Sequence, residues 1–110
     1  MASEFVYKVA SEFSRYPGGR LRSHGEFSGQ AFREDVVLSL LHAHDKIIFD
    51  LSGSAGYSSG FLDEAFGELG AIFGVSEVRR RIKLIATDDA EAIEIAWERI
   101  KDASHEANKG

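Results

Sequence analysis

The stretch Lys46–Gly74 constrains the fold of this chain more than any other. It reads KIIFDLSGSAGYSSGFLDEAFGELGAIFG: a short apolar run, a turn of serines and glycines, then apolar residues at helical spacing. The apolar run must stop near Asp50, because Ser52, Gly53, Ser54 and Gly56 pack a core strand poorly. Apolar residues resume at Phe61, Ala65, Phe66, Leu69, Ile72 and Phe73, the spacing of one helical face. Phe61, Phe66 and Phe73 are expected in the core. A strand leading into a helix across such a seam is the unit of a layered α/β structure. The seam also sets Ser58 and Ser59 at a helix N-terminus. Unpaired N–H groups and the positive end of the helix dipole favour negative charge there, a phosphate included.

On either side of this unit the pattern continues. Phe5, Tyr7 and Val9 alternate with more polar neighbours, which predicts a first strand over Glu4–Phe13. Ser14–Gly29 is rich in Gly and Arg; Pro17-Gly18-Gly19 signals a turn, and Arg20–Arg22 could open the second strand of a hairpin. Ser28 is placed to cap a helix running to Ala43, with Phe32, Val36, Val37, Leu40 and Leu41 as its apolar stripe. After the Ile47–Leu51 strand and the Phe61–Phe73 helix, Gly74 is expected as a left-handed cap. The triplet Arg79-Arg80-Arg81 reads as a polar lead-in to a strand Ile82–Ala86, which is apolar almost throughout and so expected to be central. Thr87, Asp88 and Asp89 then cap a last helix. Ile93, Ala96, Trp97 and Ile100 should face inward, with Glu91, Glu94, Glu98 and Asp102 in solvent. The segment Ser104–Gly110 is expected to fray. The element order predicts an α/β sandwich whose last strands are parallel and whose crossovers are right-handed.

At 110 residues with 44% hydrophobic content, a single packed domain is expected. A formal net charge of −5 disfavours nucleic acid or an anionic membrane as a partner. With no cysteine there is neither a disulfide framework nor a thiolate nucleophile. The chain start lacks the basic and apolar regions of a signal peptide, and no apolar run approaches bilayer length. A cytoplasmic location is the expectation.

Gly56-Tyr57-Ser58-Ser59-Gly60 spells the G-x-S-x-G of a hydrolase nucleophile elbow. A triad on Ser58 would need a downstream base, yet His105, near the chain's end, is the one later histidine. We therefore expect no catalytic residues. The plainer reading of Ser58 and Ser59 is an N-cap pair, and the sharper one is phosphoacceptance, with Asp63 and Glu64 in the first turn repelling an added phosphate. Arg15, Arg20, Arg22 and Arg33 gather near the Pro-Gly-Gly turn with His24. Their guanidinium forks suit a nucleotide or other anion, and surface ion pairing is the plain alternative. His42 and His44, two residues apart, point to different faces and do not form a metal pair. Asp50 stands at a strand's carboxyl end, where α/β sites form, but one carboxylate is not a site.

The run IIFDLSGSAGYSSGF resembles the signature of STAS domains, the fold of anti-sigma factor antagonists. More specifically, PGGRLRSHGEFSGQAFREDVV and FDLSGSAGYSSGFLDEAFGELG are similar to a bacterial STAS-like family of unknown function, over roughly Tyr7 to Thr87. The resemblance implies an α/β fold, a sheet of about four strands with helices packed mainly on one side. It also implies a non-enzymatic regulatory role without cofactor or metal. In the antagonists, a histidine-kinase-like ATPase phosphorylates a serine that matches Ser58, with Ser59 beside it. Tyr57 stands where an acidic residue commonly precedes that pair, and the loop is slightly shorter. The implied partner surface comprises Ser54, Gly56, Tyr57, Ser58, Ser59, Gly60, Asp63 and Glu64. The alternative is an anion or nucleotide sensor built on Arg15, Arg20 and Arg22.

Overall fold

The computed structural model describes residues 3–109. Three strands, β1 (Glu4–Lys8), β2 (Lys46–Asp50) and β3 (Ile82–Ile85), form one parallel sheet in the order β1-β2-β3. Phe5 lies opposite Ile47, and Phe49 opposite Leu84. Consecutive parallel neighbours joined by crossovers of one hand place their helices on one face. Burial follows that rule. Ile47, Phe49, Ile82 and Leu84 are sealed beneath the helices, whereas Val6, Lys83 and Ile85 stand exposed on the other face. A one-turn helix α1 (Val9–Glu12) follows β1. The long helices are α2 (residues 29–43), α3 (residues 59–73) and α5 (Ala90–Lys109), with a short α4 (Val75–Arg81) before β3.

Several expectations are corrected. The first strand ends at Lys8, because Val9 is buried and accepts the Phe13 and Ser14 amides in a helical turn. About four strands were expected, but the described residues hold three. Arg20–Arg22 pairs with no strand, and Arg22–His24 is a tight helical turn. β3 is an edge strand: Lys83 breaks its apolar run, and only Ile82 and Leu84 are buried. The arginine triplet belongs to α4, anchored by buried Val78. Gly74 has φ 84° with ψ 151°, positive but extended rather than left-handed helical, since the chain must turn straight into α4. The final helix continues through the segment where fraying was expected, up to Lys109, and Ser104 is buried there with its hydroxyl accepting the Val75 amide. Gly110 lies outside the described residues.

Phe73 and Ile72 are also corrected: both are exposed, at 39% and 53%. The reason lies upstream. At Asp63–Gly67 the helix widens to i→i+5 bonding. A residue inserted into the turn rotates everything after it by about 100°. Leu69 and Gly70 then face the core in place of the last two apolar residues. α2 widens in the same way at Phe32–Val37.

The core centres on Phe32. Its ring lies 4.9 Å from Phe13, 5.6 Å from Phe49, 5.8 Å from Phe61 and 5.7 Å from Phe66, mostly edge to face. α3 and α5 approach so closely that a Cβ on Gly70 would clash with the Ile100 carbonyl oxygen.

Candidate functional site

The candidate surface lies beyond the carboxyl end of β2, where the backbone leaves the sheet. Asp50 accepts the Ser52 amide at 2.9 Å, and hydrogen bonding from Ser52 holds its carboxyl below the usual aspartate range. The Ser52 hydroxyl accepts the Thr87 amide at 2.8 Å, and the Gly53 amide donates to Asp88 at 3.0 Å. These bonds tie the loop after β2 to the loop after β3. Ser54 accepts the Gly56 amide at 2.9 Å in a local turn, and Gly56 itself has φ 138°, a backbone state that side chains rarely tolerate.

Tyr57 closes the loop. Its hydroxyl donates to the Leu51 carbonyl at 3.0 Å and its ring packs 5.7 Å from Phe61. Burial pushes the Tyr57 phenol up to about 12. Tyr57 is thus a tether between loop and core.

Ser58 is the N-cap of α3. Its hydroxyl accepts the Phe61 amide at 3.0 Å and donates to the Gly18 carbonyl at 3.3 Å. The expected opening on the serine pair holds, since both residues are exposed. The second contact was not foreseen. It shows that the segment 14–28 lies against the helix start rather than forming a hairpin. Main-chain bonds hold it on both sides: Ala55 N–H to Arg15 C=O at 2.8 Å ties it to the loop before α3, and Gly29 N–H to Gly19 C=O at 2.9 Å and Gln30 N–H to Arg20 C=O at 3.0 Å tie it to the first turn of α2.

The arginines are engaged by carboxylates. Arg20 bonds to Asp63, lies 3.6 Å from Glu64, and flanks Gly60, where a Cβ would meet its side chain at 3.5 Å. Arg33 donates to the Glu64 carbonyl at 2.5 Å and to its carboxylate at 3.1 Å, within the widened turn of α3. Arg22 binds Asp35 at 2.8 Å and Glu34 at 3.1 Å. The ion-pair reading of Arg20 and Arg22 therefore describes what these groups do. Arg15 forms no ion pair among the described residues and stays exposed. Asp63 and Glu64, expected to repel a phosphate, have much of their charge compensated.

Sequence reasoning missed the apolar part of this surface. Tyr16 is 70% exposed, and Leu21 and Phe27 are also exposed on the same strapped loop. Their signal was present, aromatic residues flanking Pro-Gly-Gly and Phe-Ser-Gly, but nothing local says which way they point. It also missed Arg81, whose guanidinium donates to the Leu41, His44 and Asp45 carbonyls and so caps α2. That cap lines, with His42 and His44, a polar hollow that opens at the start of β2, away from Ser58. No helix among the described residues is long and apolar enough to cross a membrane.

Comparison with known proteins adds one finding. No curated protein and no solved structure matches the chain. The family model described as a STAS-like domain of unknown function matches residues 28–92, from the cap of α2 to the first turn of α5. That span is more than half of the chain and includes the serine-capped helix start, and the chain belongs to the family of STAS-like domains of unknown function.

Proposed function

We propose that this protein is a non-enzymatic regulatory module that docks a protein partner through residues 54–64 and the adjoining loop 14–28. The partner is an ATPase of the histidine-kinase-like type, and phosphorylation at Ser58 or Ser59 switches the contact. One observation carries this reading: the Ser58 hydroxyl is exposed and bridges the start of α3 to the Gly18 carbonyl. A phosphoryl group there adds a charge of roughly −1.5 to −2 and removes the O–H that Gly18 accepts. The helix start still favours the anion, through its free N–H groups, while the Gly18 carbonyl is repelled. Loop 14–28 must then shift, and with it the exposed Tyr16, Leu21 and Phe27. The modification thus reshapes an apolar docking surface as well as charging it.

Catalysis by Ser58 is not part of this reading. Its two partners are a backbone N–H and a backbone carbonyl, and neither can take its proton as a base. The anion-sensor alternative is weaker, because Arg20 and Arg22 would have to abandon carboxylates to bind a ligand.

The test is incubation with ATP and a histidine-kinase-like protein kinase from the same genome, followed by mass spectrometry of the tryptic peptides. Phosphate on Ser58 or Ser59, with weakened capture of that kinase by Ser58→Glu, is expected. Phosphate on neither serine with any such kinase reduces the protein to an unswitched interaction domain. Retained capture by a Tyr16→Ala, Phe27→Ala variant removes the docking surface.

A further inference from the structure

The outer edge of β1 carries a charge pattern complementary to itself. β1 reads Glu4-Phe5-Val6-Tyr7-Lys8 and, among the described residues, pairs only with β2. The Lys46 amide donates to the Ser3 carbonyl, so the alternate residues Phe5 and Tyr7 direct their main-chain groups toward β2. Glu4, Val6 and Lys8 therefore point theirs outward, and the Lys8 amide indeed bonds away from the sheet, to the Glu12 carboxylate at 2.7 Å. The main-chain groups of Glu4 and Val6 face solvent on an open edge, and the Val6 side chain is 50% exposed.

We infer that two copies of this chain associate through antiparallel pairing of β1 with β1 about Val6. The contact is isologous, with the two-fold axis between the paired Val6 residues. Val6 exchanges two main-chain hydrogen bonds with its counterpart. Glu4 of each copy then lies opposite Lys8 of the other. Within one chain Glu4 is already opposite Lys46, Lys8 opposite Asp50, and Val6 opposite Ile48. Pairing therefore extends each row across the joint: Asp50, Lys8, Glu4 and Lys46 alternate in sign, and Ile48, Val6, Val6 and Ile48 form an apolar row. On the helix-facing side Phe5 meets Tyr7, both only partly buried in the single chain. The result is one continuous sheet with three strands from each copy. Parallel pairing of the same strands would set Glu4 against Glu4 and Lys8 against Lys8, so the charges select the antiparallel arrangement. Lys8 must exchange its Glu12 bond for the outermost pair to form, which keeps the association weak and reversible.

Sedimentation equilibrium over a concentration series, with the intact chain, is the test. Wild type is expected to approach twice the monomer mass as concentration rises. Glu4→Lys and Lys8→Glu are each expected to remain monomeric, whereas an equimolar mixture of the two dimerises, and so does the double variant. Val6→Pro should abolish association with an unchanged unfolding midpoint, because the Val6 amide bonds nothing inside the fold. Ile85→Glu, on the same open sheet face but on β3, away from the joint, should still dimerise. Monomeric wild type at every concentration means that the charged edge only blocks pairing, and overturns the inference. Dimerisation lost in Ile85→Glu and kept in Val6→Pro overturns it too, in favour of face-to-face packing.

Discussion

At the scale of single residues, two adjacent serines with the same exposure have different physical roles. Ser58 satisfies an amide that the first turn of α3 leaves without a partner, while Ser59, inside the first turn, forms no such cap. Ser58→Ala should therefore destabilise the fold by about 1 kcal/mol. Ser59→Ala should stay within about 0.5 kcal/mol of wild type. Urea unfolding of both variants checks this, and equal effects would mean that Ser58 is not the cap. The cap was readable in advance, since Ser, Asp or Asn before an apolar helical run is a local signal; Ser28 and Asp89 cap α2 and α5 in the same way. The Gly18 partner was not readable, because a contact forty residues away has no local signature.

At the scale of elements, the helix pair α3 and α5 shows how an apolar stripe and a packed face can diverge. The stripe from Phe61 to Phe73 assumes an unbroken helical period. Widening at Asp63–Gly67 shifts the phase, exposes Ile72 and Phe73, and turns Gly70 toward the backbone of α5. That glycine sets the distance between the helices. Gly70→Ala places a methyl group against the Ile100 carbonyl, which cannot yield without displacing α5, and should cost about 3 kcal/mol or more. A thermal midpoint within a degree of wild type would refute the close approach. Val75→Ala nearby, at a half-buried position of α4, makes a useful control for general sensitivity.

At the scale of the whole molecule, the interior is unusually dependent on one ring. Phe32 lies on α2, yet it touches aromatic side chains from the sheet, from α3 and from the segment after α1. Phe32→Ala should cost about 3–5 kcal/mol. Against a total of roughly 5–15 kcal/mol for a typical domain, that is a large part of the stability. Circular dichroism in urea should show a midpoint shifted strongly down, and an unchanged midpoint would mean the cluster is not the centre of the core. Such a cluster also couples the candidate surface to the interior, since Tyr57 and Phe61 carry the loop's tether into the same aromatic group.

Local chemistry alone determined the amphipathic helices α2 and α3 with their serine caps, the β2 strand and the Ser/Gly seam, together with the STAS-like family. Each depends on residues within a few positions of one another, where propensity, periodicity and capping act directly. Tertiary structure decided the rest. Strand count and order follow from which backbones find partners, so the expected hairpin at Arg20–Arg22 gave way to a strap held by Asp63 and the Gly18 carbonyl. The exposure of Ile72 and Phe73 depended on a helix widening that no periodicity contains. Contacts of this kind are won in competition between distant segments, and the free energy that selects among them exists only once the chain has closed on itself.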